Sequence, residues 1–369
     1  MNTNLTADAI RRSFDVSGKR HLILTGGRGA GKTTLLGSLC RDPFPRITTW
    51  AVPREAVYFR DNLTGERDRI GVFDEALPGP ENRMRPDVDG MKNGLIPALE
   101  ACGDCSGDWV SIDEIGYLEA ESDECRRAIC SLFEKKRVIC VLRKQDTTLS
   151  RELLGRDDVF SVDLDDPFGN TGCVIMASGL GKRFSRDGAG NKLTADFMGR
   201  PLIEWVLDVT EGLFRRRVVV TRHEDAAQIC RNRGIHVVFH DLPYRSDTVR
   251  LGLEAIGDTD GCLFCQGDQP LVTRETIGAM LLCGVNDPES FFRASWNGNA
   301  ASPVLFPKWA YPGLMNLPDG KGGGYLLGKY PERVKCVNAS HPEELRDIDT
   351  PEDLRELEMI LNPITEDKP

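Results

Sequence analysis

Residues 26–33, Gly-Gly-Arg-Gly-Ala-Gly-Lys-Thr, have the composition and spacing of a phosphate-binding loop. The loop follows an apolar run, His21–Thr25, and precedes a run of helical character, Leu35–Leu39. In such a loop, glycine backbone N–H groups converge on phosphate oxygens, a lysine spans the β- and γ-phosphates, and a hydroxyl ligates Mg²⁺. We therefore expect Lys32 and Thr33 to take the last two roles. The expected nucleotide-binding residues of this loop are Gly26, Gly27, Gly29, Gly31, Lys32, Thr33 and Thr34.

Two adjacent carboxylates follow a second apolar run, Trp109–Ile112. Beside a phosphate loop, Asp113 is expected to hold Mg²⁺ through water, and Glu114 is expected to polarise an attacking water. This pattern predicts hydrolysis of a nucleoside triphosphate. Phosphoryl transfer to an acceptor stays open, because an acidic strand end beside a phosphate loop also suits kinases.

A second glycine-rich loop, Ser178–Phe184, follows the apolar run Cys173–Ala177. Two cations, Arg183 and Lys192, are placed to clamp a triphosphate that backbone amides approach. Further on, Asp268 follows one predicted strand, and Asp347 and Asp349 are predicted to end another. Strand-end carboxylates that bind Mg²⁺, together with cations that hold pyrophosphate, suit an in-line displacement at an α-phosphate.

The elements that position these residues alternate along the chain. Apolar runs of four to six residues are interleaved with helical patterns in both halves, which is typical of parallel α/β layers. An acidic, Pro- and Gly-containing stretch, Asp163–Gly172, separates the halves, and we place the boundary near Pro167. The prediction is two three-layer α/β domains, residues 1–166 and 167–369. Strands are predicted at His21–Thr25, Trp109–Ile112, Arg137–Leu142, Gly172–Ala177, Arg217–Thr221, His236–Phe239 and Gly261–Gln266.

Composition excludes several function classes. The formal charge of −10 offers no broad footprint for nucleic acid, and no apolar run approaches the roughly 20 residues that span a bilayer. The polar start, Met1–Lys19, lacks the apolar core of a signal peptide, so we expect a cytoplasmic protein. Two Cys-x-x-Cys pairs leave a four-thiolate zinc site as an alternative, but buried free thiols are the favoured interpretation. The pairs are Cys102/Cys105 and Cys262/Cys265.

The first half resembles the small P-loop nucleoside triphosphatases first described from hyperthermophiles. Asp113–Glu119 is similar to their D-E-I-G-x-[ML]-E signature, and Thr64–Arg67 is similar to their T-G-E-R turn. The similarity covers roughly residues 20–166 and implies hydrolysis of ATP, GTP or related triphosphates with loose base preference. It also implies that Arg143 lies near the phosphates. Residues 50–108 depart from the family pattern, so base contacts are not transferred to them.

The second half resembles, over residues 172 to about 358, the nucleotidyltransferases that mature the molybdenum cofactor, in particular their cytidylyltransferase branch. Six further motifs follow the glycine-rich loop in order. They are Asn191–Leu193, similar to [DN]-K-L; Gly199–Leu202, to G-[RKQ]-P-L; Tyr244–Leu253, to S-x-S-[LV]-R-x-G-[LI]; Gly267–Pro270, to G-D-[QM]-P; Ser302–Phe306, to [HNS]-P-V-L-F; and Asp319–Gly323, to a D-K-G loop.

This resemblance implies a Rossmann-like fold and a role for each matching residue. Asp268 would be the principal Mg²⁺ ligand, Asp349 the second, and Asp347 its rival. Ser302 and Lys321 would lie toward the acceptor. The implied nucleotide-binding residues are Ala177, Ser178, Gly179, Leu180, Gly181, Arg183, Lys192, Ser246 and Arg250. Ser178 replaces a small residue, and Ser185–Gly190 makes the loop longer than usual.

Together these features predict a bifunctional accessory enzyme that transfers a nucleoside monophosphate to molybdopterin and releases pyrophosphate. CTP is favoured because Met176–Gly179 resembles L-A-A-G more than the L-A-G-G of the guanylyl branch. A molybdenum hydroxylase is the expected client. Transfer to a sugar, polyol or cobinamide phosphate stays open, as does a nucleotide-gated chaperone of the cofactor. Neither the oligomeric state nor the process that hydrolysis drives is predicted.

Overall fold

The computed structural model describes residues 5–40, 46–78, 83–184 and 191–361. The chain divides into two compact units, one formed by Ser17–Pro167 and the other by the described residues up to Val16 together with those from Phe168 onward. The predicted boundary between residues 166 and 167 lies one residue from the observed division. The predicted first domain, 1–166, differs at its beginning, because the first helix, α1 (Ala7–Ser17), belongs to the second unit.

The phosphate-loop unit, residues 17–167, contains eight strands among its described residues. Its strands include the predicted His21–Thr25 and Arg137–Leu142, and the predicted Trp109–Ile112 continues to Ile115. In chain order the elements are β1 (His21–Thr25), α2 (Lys32–Leu39), β2 (Ile47–Val52), β3 (Ala56–Asp61), β4 (Arg67–Phe73), β5 (Met84–Pro86), α3 (Val88–Gly90), a π-helical turn (Met91–Leu95), α4 (Ile96–Asp104), β6 (Trp109–Ile115), α5 (Tyr117–Glu121), α6 (Asp123–Lys135), β7 (Arg137–Leu142), α7 (Thr148–Leu154) and β8 (Val159–Asp163).

The strands of this unit form one mixed sheet in the order β5-β4-β3-β2-β6-β7-β1-β8. Strands β2, β6, β7, β1 and β8 run parallel, and β2 to β5 pair antiparallel. The parallel strands therefore all end at one edge, which is where the phosphate loop and the carboxylates near the end of β6 lie. The antiparallel strands occupy the region that departs from the family pattern. Residues 79–82, which include part of the Pro78–Pro80 interruption, lie outside the described residues.

His21, at the start of β1, is fully buried, and we expect its titration to make the stability of this unit depend on pH. Its Nδ1 accepts the N–H of Val138 at 3.1 Å, so the proton of the neutral ring is on Nε2. Burial is the largest effect on this imidazole and lowers its pKa to about 4, although Asp158 acts in the opposite direction. Between pH 4 and about 6.5 the unfolded chain therefore binds more protons here than the folded chain, and the folded state loses stability as pH falls through this window.

We expect the unfolding free energy of the wild-type unit to fall by roughly 2–3 kcal/mol more than that of His21→Asn between pH 7 and pH 4.5. Asparagine keeps an acceptor for the Val138 N–H but does not titrate. Urea unfolding at both pH values measures the difference, with His236→Asn, at an exposed histidine, as the control. Equal losses in wild type and His21→Asn would contradict this account of the histidine.

The transferase unit, residues 5–16 and 168–361, contains the remaining elements. The predicted strands His236–Phe239 and Gly261–Gln266 are confirmed, and Gly172–Ala177 and Arg217–Thr221 each begin one residue earlier. After α1 the elements are β9 (Thr171–Ala177), β10 (Asp196–Phe197), β11 (Arg200–Pro201), α8 (Leu202–Thr210), β12 (Arg216–Thr221), α9 (Glu224–Asn232), β13 (His236–Phe239), α10 (Arg245–Ile256), β14 (Gly261–Gln266), α11 (Arg274–Asn286), β15 (Phe291–Trp296), β16 (Asn299–Pro307), α12 (Tyr311–Met315), α13 (Gly324–Leu327), β17 (Val334–Asn338) and α14 (Pro351–Leu361), with 3₁₀ turns at Lys192–Thr194, Lys308–Ala310, Pro331–Arg333 and Pro342–Leu345.

The main sheet of this unit has the order β13-β12-β9-β14-β16-β15-β17. Strands β13, β12, β9 and β14 run parallel, β16 is antiparallel to both of its neighbours, and β15 pairs parallel with β17. The glycine-rich loop follows β9 and Asp268 follows β14. Because these two strands are parallel neighbours, their loops meet at the same edge of the sheet.

Helix α1 packs against this sheet's helix α11. The Arg12 guanidinium donates to Thr276 Oγ1 at 3.1 Å and to the Asn338 carbonyl at 2.9 Å, and Ile10 and Phe14 are buried. The phosphate-loop unit is therefore inserted in sequence between the first helix and the rest of the transferase unit. No helix within the described ranges is long and apolar enough to span a membrane.

Candidate active sites

The phosphate loop connects β1 to α2 through glycines whose backbone conformations suit an anion cradle. Gly29 and Gly31 have φ values of 79° and 85°, which a side chain would strain. The Lys32 ammonium donates to the carbonyl oxygens of Gly26 and Gly27 at 2.8 and 2.6 Å. The lysine thus lies folded along its own loop, where incoming phosphate oxygens can replace the two carbonyls. Thr34 is exposed on the first turn of α2.

The predicted metal pair of this loop comes together. Thr33 Oγ1 donates to Asp113 Oδ1 at 3.1 Å, although the residues are 80 positions apart in sequence. Burial raises the pKa of Asp113, and the Thr33 hydroxyl partly offsets the effect. A hydroxyl and a carboxylate at this spacing are oxygen donors of the kind that Mg²⁺ prefers.

Glu114 lies inside β6 rather than after it, which corrects the predicted strand end at Ile112. Its φ of 75° is in the left-handed region, where a non-glycine residue is strained. Its Oε1 is 3.7 Å from Nη1 of Arg143, and about two fifths of each side chain is exposed. The structure therefore brings Glu114, predicted to polarise the attacking water, together with Arg143 at an open edge, beside the buried Asp113.

Three further residues at this loop, Lys144, Asp163 and Asp165, were not predicted to take part. The Asp165 carboxylate accepts the Gly27 N–H at 2.9 and 3.1 Å, and Lys144 binds both Asp163 and Asp165 at 2.8 and 2.9 Å. Lys144 and the Gly27 amide lower the pKa of Asp165. Sequence reasoning assigned this acidic stretch to the domain boundary, and the signal that it missed was its position directly after β8, the neighbour of β1.

In the transferase unit the glycine-rich loop is held by two neighbouring strand ends. Ser178 Oγ donates to the Val220 carbonyl at 2.9 Å, so it must accept from Nε2 of His240, also at 2.9 Å. Burial lowers the pKa of His240. His223 Nε2 donates to the Gly179 carbonyl at 2.7 Å. The hydroxyl of the serine that departs from the family pattern is thus engaged by Val220 and His240, and neither histidine was predicted to take part.

The remaining predicted residues of this loop differ in exposure. Ala177 ends β9 and is buried, and its carbonyl accepts from Thr221 Oγ1 at 2.9 Å. Leu180 is exposed, and Gly181 has a φ of 60°. Residues 185–190, which include the predicted long insertion, lie outside the described residues.

The charged residues predicted for transfer form one cluster. The buried Lys192 ammonium donates to Asp268 Oδ2 and, at 3.0 Å, to Asp349 Oδ1. Burial lowers the pKa of Lys192, but the two carboxylates outweigh it and leave this pKa above its ordinary value. The exposed Arg183 pairs with Asp349 Oδ2 at 2.8 Å. Two predicted carboxylates from distant parts of the sequence therefore meet at Lys192, and Arg183 joins the cluster through Asp349.

Asp347 and Asp349 do not end a strand, which corrects that prediction. They lie in an extended segment before α14, which is attached to the site through the Ile348 N–H and the Asp268 carbonyl at 2.9 Å. Desolvation, followed by the charges of Asp268 and Asp349, raises the pKa of Asp347 to about 6. Asp349 contacts the lysine directly, whereas Asp347 acts on the cluster through its charge.

Asp225 of α9 anchors the segment that carries Lys192. Its carboxylate accepts Asn191 Nδ2 at 2.9 Å and Thr194 Oγ1 at 3.0 Å. Asn191 in turn accepts the Leu193 N–H at 3.1 Å, which fixes the turn around the lysine. Sequence reasoning missed Asp225 because nothing in its own neighbourhood marks it as part of the site.

The residues predicted for the acceptor side, and the remaining predicted nucleotide-binding residues, are less closely connected. Ser302 on β16 lies 3.5 Å from Nε2 of Gln266, at the end of β14. Lys321 is exposed in the loop before α13. Ser246 is buried at the start of α10, and Arg250 is bound to Asp247 at 2.5 Å. A nucleotide would have to compete with Asp247 for this arginine.

The four cysteines of the zinc alternative lie in different units, with Cys102 and Cys105 in the phosphate-loop unit and Cys262 and Cys265 in the transferase unit. All four are free thiols, and burial raises the pKa of Cys102 to about 11. Across the described parts of the chain, no group of three or more His, Cys, Asp or Glu side chains is arranged to hold a metal ion.

Comparison with known families matches residues 173–334 to the MobA-like NTP transferase domain and residues 74–167 to the NTPase family. The second match begins after the phosphate loop and includes Asp113, Glu114 and Arg143. The first includes the glycine-rich loop, Lys192 and Asp268.

Individual proteins match only part of this chain, at modest sequence identity. A 3-deoxy-manno-octulosonate cytidylyltransferase of Bdellovibrio bacteriovorus is 32% identical over 111 residues, 29% of this chain and 44% of that protein. A bifunctional protein GlmU of Pseudothermotoga lettingae is 30% identical over 107 residues, 28% of this chain and 23% of that protein. The chain thus spans less than half the length of these curated relatives. A solved nucleotidyl transferase from Methanothermobacter thermautotroptrophicus has a TM-score of 0.45 and 22% identity, covering 52% of this chain and 98% of that chain.

Proposed function

We propose that this chain, which joins an NTPase domain to a MobA-like NTP transferase domain, transfers a nucleoside monophosphate from an NTP to the phosphate of a pterin cofactor. The observation that carries the proposal is the convergence of Asp268, Asp349 and Arg183 around Lys192, at the edge where β9 and β14 end. A second reaction, hydrolysis of NTP, takes place at the phosphate loop. The acceptor is the molybdenum cofactor, and its client is a molybdenum hydroxylase.

In the transfer reaction an oxygen of the acceptor phosphate bonds to the α-phosphorus, and the bond from the α-phosphorus to the bridging oxygen of pyrophosphate breaks. The electron pair of that bond stays with pyrophosphate. Arg183 and Lys192 are the cations that hold the leaving group, and their ion pairs with Asp349 must loosen as the triphosphate enters. Lys321 and Ser302 face the acceptor in this proposal. Binding the acceptor next to the nucleotide lowers the entropic part of the barrier.

The donor atoms at both sites suit Mg²⁺, which takes one or two carboxylates together with substrate phosphates. In the transferase unit Asp268 and Asp349 would hold the ion, with Asp347 close by. In the phosphate-loop unit Thr33 and Asp113 would hold it. When bound, Mg²⁺ supplies positive charge that offsets the charge of the triphosphate.

Lys192 occupies the point between Asp268 and Asp349 where such an ion would bind. Lys192→Met removes the ammonium and leaves the two carboxylates uncompensated, so we expect about tenfold or tighter binding of Mn²⁺ in the absence of nucleotide. Electron paramagnetic resonance titration of free Mn²⁺ measures this affinity. Lys182→Met, at an exposed lysine of the glycine-rich loop, is the matched control and should leave it unchanged. Unaltered Mn²⁺ affinity in Lys192→Met would remove these carboxylates from the proposed metal site.

Hydrolysis at the phosphate loop uses groups that are already in place. Lys32 and the loop amides bind the phosphates, and Glu114 accepts a proton from the attacking water. Arg143, 3.7 Å from Glu114, is close enough to hold that carboxylate while the nucleotide is absent and to face the phosphates when it is bound. Hydrolysis breaks the bond to the γ-phosphorus and releases phosphate.

CTP is the proposed donor, because the sequence Met176–Gly179 resembles the cytidylyl branch. The Ser178 hydroxyl already hydrogen-bonds to the Val220 carbonyl and to His240, so it need not contact the base of the nucleotide. A sugar acceptor is the second candidate, and the observation that favours it is the match to a cytidylyltransferase named for 3-deoxy-manno-octulosonate.

Separate assays of phosphate and pyrophosphate test the proposal, with CTP, GTP, ATP and UTP, each with and without the molybdenum cofactor. We expect pyrophosphate only with cofactor, and most of it with CTP. Pyrophosphate that requires a sugar or sugar phosphate instead would favour the second candidate. Pyrophosphate from none of these mixtures would contradict the transferase proposal.

A further inference from the structure

Strand β2 touches the catalytic strand β6 over a short stretch. Their backbone register pairs Ile47 with Ile112 and Thr48 with Asp113 and then stops. At the next residue the contact between the strands is made by a side chain instead of the backbone. Thr49 Oγ1 donates to the Asp113 carbonyl at 3.1 Å and to the Glu114 carbonyl at 3.2 Å. One hydroxyl is thus shared between the two residues that carry the predicted chemistry.

These two residues form a β-bulge. The register of β6 against β7 pairs Ile112 with Cys140 and Ile115 with Leu142, so Asp113 and Glu114 together oppose the single residue Val141. In a regular strand, consecutive side chains point to opposite faces of the sheet. A bulge changes these directions locally and re-aims a side chain, and bulges are over-represented next to active sites.

The bulge requires an unfavourable backbone conformation. Glu114 has a φ of 75°, in the left-handed region, where a non-glycine residue is strained. This conformation persists only when the surroundings hold it. Among the described residues, the Thr49 hydroxyl is the side-chain donor that binds both carbonyls of the bulge.

We infer that Thr49 is a positioning residue, which holds the bulge so that Asp113 reaches Thr33 while Glu114 reaches the open edge beside Arg143. The inference rests on the proposed hydrolysis at the phosphate loop. Packing gives no need for the hydroxyl, since Thr49 borders a small cavity lined mainly by apolar side chains such as Leu95, Leu99 and Ile129. A valine would keep this packing and remove only the donor.

The test compares Thr49→Val with Thr49→Ser, which keeps the hydroxyl, and with Thr48→Val. Thr48 is the preceding residue of β2, and its hydroxyl accepts from Asn62 at 2.7 Å rather than binding β6. We expect Thr49→Val to lower kcat for phosphate release by about 10- to 100-fold with KM for NTP within about twofold, because a small misplacement of a catalytic group costs this much. Thr49→Ser and Thr48→Val should retain the wild-type kcat.

A crystal structure of Thr49→Val gives a readout that does not depend on turnover. We expect Glu114 to leave the left-handed region and the Glu114 to Arg143 contact to be lost. A wild-type kcat in Thr49→Val, or an unchanged bulge in its structure, would overturn the inference. If the wild-type protein releases no phosphate, the proposed hydrolysis fails, and the crystal structure still decides whether Thr49 holds the bulge.

Discussion

Asp268→Asn is expected to lower cofactor-dependent pyrophosphate release by about 10²–10³-fold and to leave phosphate release at the phosphate loop unchanged. The substitution keeps the size of the side chain but removes the negative charge that Lys192 contacts. It also removes the carboxylate that we assign as the principal Mg²⁺ ligand. Charge neutralisation at the triphosphate is worth several kcal/mol in such reactions, and this sets the size of the effect.

The matched control for this variant is Asp258→Asn. Asp258 precedes the same strand, β14, but is exposed and pairs with Lys308 at 2.7 Å. The Asp258→Asn protein should transfer the nucleoside monophosphate at the wild-type rate. Partner binding that depends on nucleotide and survives Asp268→Asn, with no pyrophosphate formed by the wild type, would favour the chaperone alternative. Wild-type transfer by Asp268→Asn would contradict the assignment of the site.

Lys32→Ala is expected to lower phosphate release by about 10²–10³-fold and to leave nucleotidyl transfer intact. Within the described residues the Lys32 ammonium donates to two carbonyls of its own loop, so its loss should not unfold the unit. Separate assays of phosphate and pyrophosphate measure both effects on one protein. Lys92→Ala, at an exposed lysine of the same unit, is the control.

We therefore expect the two variants to have opposite effects: Asp268→Asn lowers pyrophosphate release and spares phosphate release, and Lys32→Ala does the reverse. If Lys32→Ala also abolished pyrophosphate release, transfer would require hydrolysis, and the two reactions would not be separate. If Lys32→Ala left phosphate release unchanged, the phosphate would come from a site other than this loop.

The central parallel strands of both units were predictable because each is an apolar run with a turn or a helix after it. The strands β2 to β5 were not, and β4 shows why. Its first three residues, Arg67, Asp68 and Arg69, are exposed, so no apolar run marks the strand. The packing of helix α1 against α11 was not predictable either. An amphipathic pattern indicates that one face of a helix is buried, but it does not identify the element that covers this face.

Family motifs pointed to two members of the transferase cluster. Lys192 and Asp268 belong to two motifs of one family, and the structure brings them into contact. The family matches follow the predicted order, with the NTPase match at residues 74–167 before the MobA-like NTP transferase match at residues 173–334. Asp349 was predicted to end a strand, but its segment is extended and is attached to the site through the Ile348 N–H and the Asp268 carbonyl.

The residues that support these sites escaped prediction for a common physical reason. Thr49, Asp165, Asp225 and His240 each reach the chemistry across a strand or a loop that is distant in sequence. None of the four lies in a family motif identified above, although two of them stand in acidic pairs, Asp165–Asp166 and Glu224–Asp225. Only the order of strands in the sheet, which the sequence does not state, makes them neighbours of the predicted residues.

The most direct test of the central claim follows the phosphorus atoms of CTP in the Lys32→Ala protein, where hydrolysis at the phosphate loop is removed. CTP labelled separately at the α- and γ-phosphates is incubated with the molybdenum cofactor and Mg²⁺. We predict that the α-label appears in the cofactor and the γ-label in pyrophosphate, in equal amounts. An α-label that remains entirely in CTP, CDP or CMP would contradict nucleotidyl transfer to this acceptor.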